Sequence, residues 1–280
     1  SPLHIACQLG HADVFWLLLH HCERRNESSA TSTSTEQAAP VNMSLTNEGA
    51  TPLHIACFNG HHQLVRDLLH RNADPSLVTT DESSTPLHFA AQAGHSSVCK
   101  LLLQQKAEPN ACMKCGSTPL YLACGRGSDN VVQLLLQAKA NTELGTTMTA
   151  NAAVGVGVGQ VRTPLRFAVD RNHITSARLL VRHGAKVDVP GPDGRTILEA
   201  AGDGDNTWLA KWLTFVKDFN AIHWACESRN TGLLQQLLQS DSITLSDLTS
   251  TANGVTPLAL VANPPSYFPD LYDPDELSRL

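Results

Sequence analysis

The sequence predicts an all-α fold, a solenoid of stacked helix pairs, because one short phrase returns along the chain at a regular interval. The phrase Ser/Thr-Pro-Leu-His occupies residues 1–4, 51–54 and 85–88. Looser copies begin at Thr118, Thr163, Asn220 and Thr256, and an eroded copy begins at Thr196. Most copies lie about 33 residues apart, the length of one small supersecondary unit. Such a chain is expected to stack modules and to offer a long binding surface.

Each copy of the phrase is expected to begin a short helix that a second helix follows. In the best-preserved copy, Thr85 suits the N-cap and Pro86 suits the first helical position, where its missing N–H costs nothing. Gly94 supplies the left-handed residue that ends this helix. Val98 and Leu102 then recur at helical spacing and predict the apolar side of the second helix. The other copies repeat this order of residues, so Val14, Leu18 and Leu19 are expected to form the apolar side of the second helix in the first copy.

Three nearly intact copies of a longer phrase carry a resemblance to a known family. Residues 1–11, 51–61 and 85–95 follow the pattern Thr-Pro-Leu-His-x-Ala-Ala-x-x-Gly-His. With them the chain resembles ankyrin-repeat proteins, over nearly its whole length apart from the insertions and the tail. The resemblance implies antiparallel helix pairs with a hairpin-like finger between repeats. It also implies a non-catalytic role, in which a protein partner lies along the groove formed by the fingers and the first helices.

The expected ankyrin-repeat array spans residues 1–262. Its repeats start near residues 1, 51, 85, 118, 163, 196, 220 and 256. In the eroded repeat, Leu209, Trp212 and Leu213 keep the apolar frame of the second helix, so this repeat is expected to fold. Between Val216 and Asn220 there is hardly room for a finger, which predicts an interruption of the groove.

Three segments depart from the repeat. An insertion at about residues 23–47 carries a Ser/Thr-rich run that cannot bury apolar area and is expected to be disordered. A second insertion, residues 144–161, alternates Gly with Val and is expected to be a mobile extension of a finger. It lacks the third glycine of a G-x-G-x-x-G loop, which argues against phosphate binding. Residues 263–280 are rich in Pro and Asp and are expected to form a C-terminal cap or linker.

Composition restricts the class of partner and the compartment. The net charge of −6 argues against nonspecific nucleic-acid binding, which needs a basic face. No apolar run approaches a membrane span, and no secretory signal opens the chain. Cys7, Cys57, Cys124 and Cys226 share one slot of the repeat, which alanine fills as Ala91, so we interpret them as small buried groups. A reducing compartment follows, the cytoplasm or the nucleus.

Catalysis and metal binding find little support in the sequence. Most of the histidines hold one of two repeat positions, the fourth residue of the phrase or the residue after the turn glycine, and are expected to hydrogen-bond neighbouring repeats. Cys112 and Cys115 form a lone C-x-x-C pair in a finger, and a zinc site would need two further ligands. The pair is therefore a weak metal candidate, a redox-active pair or an incidental one. No cofactor and no catalytic residue is predicted.

If the family geometry holds, exposed groove positions lie just before each phrase and just before each turn glycine. The candidate partner-binding residues at these positions are Phe58, Asn59, Glu82, Gln92, Arg126, Arg162, Asp170, Arg171 and Arg195. An aromatic anchor beside several arginines is typical of a binding hot spot. The hypothesis is a protein or peptide partner with an acidic or phosphorylated residue over the arginines and an apolar residue near Phe58. Solvated charges that bind nothing are the alternative interpretation.

The sequence therefore predicts an intracellular, non-catalytic protein-interaction module. The alternative function is a regulatory or targeting domain of a larger multidomain enzyme or channel. A small-molecule or metal sensor built on Cys112 and Cys115 is a weaker third class.

Overall fold

The computed structural model describes residues 2–29, 40–147, 161–191, 193–203, 207–227, 231–239, 249–252 and 255–262. The chain divides into two compact units, residues 1–183 and residues 184–280. The middle of each insertion, at residues 30–39 and 148–160, lies outside the described residues, and so does the segment 263–280.

Helix pairs follow one another along the first unit. They are α1 (Pro2–Leu9) with α2 (Ala12–Ser29), α3 (Pro52–Asn59) with α4 (His62–His70), α5 (Pro86–Ala93) with α6 (Ser96–Gln104), α7 (Pro119–Arg126) with α8 (Asp129–Gln137), and α9 (Pro164–Asp170) with α10 (Ile174–Arg182). Each first helix contacts the next first helix, from α1 to α9, and consecutive second helices from α4 to α10 also contact one another. This is the predicted all-α solenoid of stacked helix pairs.

The ends of the first helices form as the repeated phrase predicts. Thr51, Thr85, Thr118 and Thr163 stand in extended backbone just before a helix that begins with proline. The Thr118 hydroxyl oxygen accepts the Tyr121 N–H at 3.2 Å, which satisfies one of the open donors of the first turn. At the other end, Gly60 and Gly94 take φ values of 74° and 78°, a conformation that glycine adopts without strain.

The core lies between the layers. The leucine after each helix-initial proline is buried in successive repeats, as Leu53, Leu87 and Leu120 show. On the second helices Leu64, Val98 and Val131 are also buried, but the corresponding Val14 is 47 % exposed. The expectation that Val14 belongs to the apolar core is therefore wrong. It lies in the first helix pair of the described stack, where Phe15 and Leu19 supply the buried side chains of α2 instead.

The fingers between helix pairs are joined by backbone hydrogen bonds. The Glu48 carbonyl accepts the Thr80 N–H at 2.8 Å, and the Glu82 carbonyl accepts the Lys114 N–H at 2.9 Å. Ser83 has a φ of 56° where the neighbouring fingers have Gly49 and Gly116, both at 81°. Serine thus forms the same left-handed turn, although its side chain makes this conformation more costly than it is for glycine.

Both insertions are ordered at their edges, which corrects their expected extent. Helix α2 continues to Ser29, and Pro40–Asn42 form a short 3-10 helix whose Val41 is buried. The Asn42 side-chain oxygen accepts the Asp74 N–H at 2.9 Å and ties this end of the insertion to the next repeat. The second insertion starts and ends in a two-stranded antiparallel ribbon of β1 (Thr146–Thr147) and β2 (Val161–Arg162).

The second unit contains α11 (Ile197–Asp203), α12 (Thr207–Val216), α13 (Ala221–Glu227), α14 (Thr231–Gln239) and α15 (Pro257–Ala262). The eroded repeat is folded, because Leu209, Trp212 and Leu213 are all buried. Trp212 and Trp224 lie 6.2 Å apart between ring centres and join α12 to α13. Only four residues separate these two helices, so no finger fits between them, as the sequence predicts.

Candidate protein-binding site

The candidate groove residues of the first unit follow one edge of the stacked first helices. Phe58, Gln92 and Arg126 come just before the turn that ends α3, α5 and α7, and all three are exposed. Asn59 is half-buried, because its amide donates to the Ile55 carbonyl at 2.8 Å. Since α3, α5 and α7 pack in sequence, their side chains form a continuous row. This row and the adjoining fingers are called the groove row below.

An aromatic pair forms the amino-terminal part of the groove row. Phe58 is 48 % exposed, and its ring meets the Phe89 ring edge to face with 6.0 Å between centres. His54 stands edge to face with the other side of Phe89 at 5.5 Å. Phe89 therefore fixes the position of Phe58 from the next repeat. An exposed aromatic ring held in place by its neighbours can anchor an apolar side chain at low entropic cost.

The arginines separate into two kinds by their partners. Arg162 donates to Asp170 Oδ2 through Nε at 3.1 Å and Nη2 at 2.5 Å, and Arg166 donates from Nε to Asp170 Oδ1 at 2.8 Å. One carboxylate thus holds two guanidinium groups. Arg166, which sits at the fourth position of its repeat in place of histidine, is buried. Arg162 and Asp170, both predicted as partner-binding, are engaged with each other.

Phe167 lies at the centre of this basic region. Its ring stacks on Tyr121 with 4.6 Å between centres and an angle of 20° between the planes. The Arg162 guanidinium lies 4.6 Å from the ring centre and that of Arg171 lies 5.4 Å away. Both contacts are within the range of a cation–π interaction.

Gly125 makes room for the Phe167 ring. A Cβ atom at Gly125 would stand 2.0 Å from Phe167 Cε1, so only glycine allows the ring to lie on α7. Phe58 holds the equivalent position in α3, just after the buried cysteine of the phrase. On α3 the exposed aromatic ring is thus that of Phe58 itself. On α7 the equivalent position is Gly125, and the ring that lies over it is Phe167 of the next first helix, α9.

Arg126 and Arg171 are the arginines of the groove row with open guanidinium groups. Both side chains are exposed, and neither forms a salt bridge within the part of the chain that the structure describes. Arg126 is the last residue of α7 and Arg171 directly follows the last residue of α9, and these two helices pack against each other. Two unpaired guanidinium groups on adjacent helices can bind an anionic group of a partner.

The remaining candidates lie on fingers. Glu82 is exposed, and its carbonyl accepts from Lys114. The Lys114 ammonium also donates to the Thr80 carbonyl at 2.8 Å and to the Asp81 carbonyl. Arg195 belongs to the second unit, where it is exposed on the turn before α11.

The repeat histidines connect neighbouring repeats, as predicted. The fourth-position histidines point forward along the chain. His54 Nδ1 accepts the Thr51 N–H at 3.1 Å, so Nε2 carries the proton and donates to the Ser84 carbonyl of the next finger at 3.0 Å. His88 makes the same pair of bonds to Thr85 and to the Ser117 carbonyl.

The histidines after the turn glycine point backward along the chain. His61 donates to the Gln8 carbonyl at 2.8 Å, and His95 donates to the Phe58 carbonyl at 3.0 Å. These rings fill the space beside Gly10 and Gly60 of the preceding repeat. Ser128 replaces the histidine at the next repeat, where it lies beside Gly94.

Burial keeps His54 and His88 neutral and keeps the cysteines of the repeated phrase protonated. Desolvation lowers the pKa of both His54 and His88 to about 4, against the opposing effect of their hydrogen bonds to backbone carbonyls. Burial raises the pKa of Cys7 to about 12 and raises that of Cys57 and Cys124 as well. A buried histidine with a pKa of about 4 is a weak base, and a buried protonated thiol is a poor nucleophile.

Cys112 and Cys115 remain apart from this pattern. Cys112 is exposed and donates to the Asn110 carbonyl at 3.4 Å, and Cys115, half-buried, lies 3.1 Å from the Ser117 hydroxyl. Among the described residues no group of three His, Cys, Asp or Glu side chains could hold a metal ion.

Comparison with known proteins identifies the family. The family described as ankyrin repeats (3 copies) matches residues 1–79, 36–111, 71–147 and 87–189, which together cover more than half of the chain. The chain therefore belongs to the ankyrin-repeat family, whose members are generally modules for protein–protein interaction and are typically non-catalytic. No curated protein is similar enough in sequence to count as a match. In the part of the chain that the structure describes, every helix is too short or too polar to cross a bilayer.

Proposed function

We propose that the chain is a non-catalytic interaction module that binds a segment of a partner protein along the groove row. The observation that carries this proposal is the continuity of exposed candidate side chains along the packed helices α3, α5 and α7, together with the Arg171 end of α9. These positions contribute little to the core, so their side chains are free to serve recognition. We place this function in the cytoplasm or the nucleus, since seven of the eight cysteines are free thiols.

The two ends of the groove row favour different chemistry in the partner. Near Phe58 the surface is aromatic and suits an apolar side chain. Near Arg126 and Arg171 the surface carries two open positive charges and suits a carboxylate or a phosphate group. Asp170 would repel an anionic group of the partner, but its carboxylate is already paired with Arg162. The proposed partner segment is thus apolar at one end and acidic or phosphorylated at the other.

Helix packing sets the separation of these two features. Phe58 and Arg126 lie on α3 and α7, two helix steps apart, and neighbouring helices pack about 8–10 Å from axis to axis. The span is therefore about 20 Å, which an extended chain covers with about six residues. Glu82, Gln92 and Asn59 lie along this span as polar contacts, and Arg195 is the proposed counterpart on the second unit.

The test is a library of synthetic 12-residue peptides that contain Asp, Glu and phosphoserine, selected against the full chain. We expect the selected peptides to carry an apolar residue and an anionic residue about six positions apart. Their affinity should fall at least about tenfold for the double variant Arg126→Glu/Arg171→Glu, because two exposed ion pairs at roughly 0.7 kcal/mol each amount to a factor of ten. The salt dependence of binding should fall as well.

A matched control separates this site from overall charge. Arg66→Glu/Lys100→Glu makes the same change in net charge at exposed positions of α4 and α6. It should leave affinity within about twofold, since one Debye length at physiological salt is about 8 Å. Equal losses in both double variants would show that the arginines act only through net charge. Unchanged binding in Arg126→Glu/Arg171→Glu would rule them out as a site.

A further inference from the structure

Cys112 and Cys115 differ from the buried cysteines of the first unit in access to solvent. Cys7, Cys57, Cys99 and Cys124 are buried in the first unit, and the pKa of each thiol is raised by burial. Cys112 is exposed and Cys115 is half-buried. Oxidants react with the thiolate of an accessible cysteine, so the buried thiols are protected and this pair is not.

Cys115 lies within a tight turn at the tip of a finger, residues 113–116, and Cys112 directly precedes this turn. The Gly116 N–H donates to the Met113 carbonyl at 2.9 Å, and the Met113 N–H donates to the Ser117 carbonyl at 2.9 Å, so the chain reverses between the cysteines and Ser117. Residues three apart lie at most about 10 Å from Cα to Cα when extended, and a turn shortens this distance. A disulfide needs about 4.4–6.8 Å, so its formation requires the finger tip to close further around Cys112 and Cys115, neither of which belongs to the core.

The present contacts of the Cys112 and Cys115 sulfur atoms can be given up for a bond between the two sulfurs. Cys112 donates a long bond to a carbonyl and Cys115 contacts the Ser117 hydroxyl, and neither sulfur is packed in the helix layers. Both contacts are weak because a thiol is a poor donor and a poor acceptor. Little stabilisation is therefore lost when the sulfur atoms turn toward each other.

We propose that Cys112 and Cys115 are a reversible redox modification site, which hydrogen peroxide converts into a disulfide across the finger tip. One thiolate attacks a peroxide oxygen, the O–O bond breaks, and the released hydroxide takes up a proton to form water, which leaves a sulfenic acid. The other thiol attacks this sulfur, forms the S–S bond and releases a second water. Two thiols and one hydrogen peroxide thus give one disulfide and two waters, with sulfur oxidised and peroxide reduced.

The position of this finger connects the modification to the groove row. Lys114 stands between the two cysteines and binds the neighbouring finger through the Thr80, Asp81 and Glu82 carbonyls. Ser117, which Cys115 contacts, gives its carbonyl to His88. A disulfide at the tip changes the backbone that holds these bonds, so Lys114 should become detached from the neighbouring finger.

The experiment treats the full chain with one equivalent of hydrogen peroxide and locates the products by peptide mass spectrometry. We expect a loss of two hydrogen atoms in the peptide that contains residues 112–115, reversed by dithiothreitol, while Cys57 and Cys99 stay reduced. Cys112→Ser and Cys115→Ser should each abolish the loss. Both serine variants are expected to fold, because neither cysteine is in the core.

Three results would overturn the proposal. They are a peptide that keeps both thiols at a peroxide level that oxidises free glutathione, oxidation that stops at sulfenic or sulfinic acid on Cys112, and a disulfide between two chains instead of within one. A second readout, hydrogen exchange of the Lys114 amide, should speed up at least about threefold on oxidation if the contact with Glu82 is released. An unchanged rate would refute the link to the neighbouring finger. The chemistry does not rest on the proposed groove function, so failure of peptide binding leaves this test intact.

Discussion

Acidification should weaken the first unit at pH values where its carboxylates remain charged, because His54 and His88 are buried as neutral rings. Their pKa falls from 6.5 to about 4 in the folded chain, so the unfolded chain binds more protons between these values. Folding stability contributed by the neutral rings is then complete above pH 6.5, declines as pH falls toward 4, and is lost below. The shift of more than two pKa units corresponds to about 3 kcal/mol for each ring.

The magnitude between pH 7.5 and pH 5.5 follows from the same two pKa values. At pH 5.5 the unfolded histidine is about nine-tenths protonated and the folded one is nearly neutral, which costs somewhat more than about 1 kcal/mol per ring and about 2–3 kcal/mol for both. Asp81 and Glu199 have lowered pKa values, from ordinary values of 3.8 and 4.5, so their contribution falls mainly below this window.

The assay is amide hydrogen exchange of helices α3 and α5 at several pH values, corrected for the intrinsic exchange rate. A local readout suits a repeat array, in which each layer contacts only its neighbours. The opening free energy should fall by about 2–3 kcal/mol from pH 7.5 to pH 5.5. In His54→Gln/His88→Gln, whose amides can reach the same carbonyls but do not titrate, it should stay nearly constant. An equal pH dependence in this variant, or a midpoint near 6.5 for His88 by NMR in the folded chain, would refute the reasoning.

Two further predictions use matched pairs of positions. Val98→Ala should destabilise its layer by about 2 kcal/mol and Val14→Ala by less than about 0.5 kcal/mol, because Val98 is fully buried and Val14 is 47 % exposed. Hydrogen exchange of the two second helices measures both losses. Equal losses would contradict the assignment of Val98 to the core and Val14 to the surface. Gly125→Ala should push Phe167 off α7 and destabilise the fold by about 1–3 kcal/mol. Gly202→Ala is the matched control and should be neutral or slightly stabilising, because no atom lies near its Cβ position. Thermal melts compare the two variants, and a neutral Gly125→Ala would show that the Phe167 ring has another place to pack.

The sequence was sufficient to predict the helix pairs, because each of their signals is local. Threonine and proline set the start of α5, Gly94 sets its end, and apolar spacing sets the inner face of α6, so no distant contact is needed to recognise them. The same spacing misassigned Val14. Periodicity reports which residues share a face of a helix, but burial of that face depends on whether another layer covers it.

The exposure of several candidate residues was predicted, but their contacts with one another were not. Family geometry indicated that Phe58, Arg126 and Arg171 would be exposed, and they are. The pairing of Arg162 with Asp170 could not be inferred, because the two residues belong to a ribbon and a helix whose relative placement depends on the fold. The Phe167 surface was missed for a similar reason. Gly125 was its one sequence signal, since a glycine inside a helix suggests a close approach of another group.

Extension of helix α2 shows a different limit of the sequence. The polar residues up to Ser29 carry no apolar stripe, so composition predicted a loop. Helix α2 nevertheless continues the turns that Phe15 and Leu19 anchor, because adding a residue to an existing helix avoids the cost of starting one.

Site-specific photo-crosslinking tests most directly whether partners bind along the groove row. A photoreactive amino acid is placed at Gln92, on the groove row, or at Lys100, which is also exposed but lies on the second helix of the same repeat. With the selected peptide as the probe, we expect a crosslink from Gln92 that an excess of unlabelled peptide removes, and none from Lys100. Crosslinking from Lys100 but not from Gln92 would contradict the account and place recognition on the opposite helices.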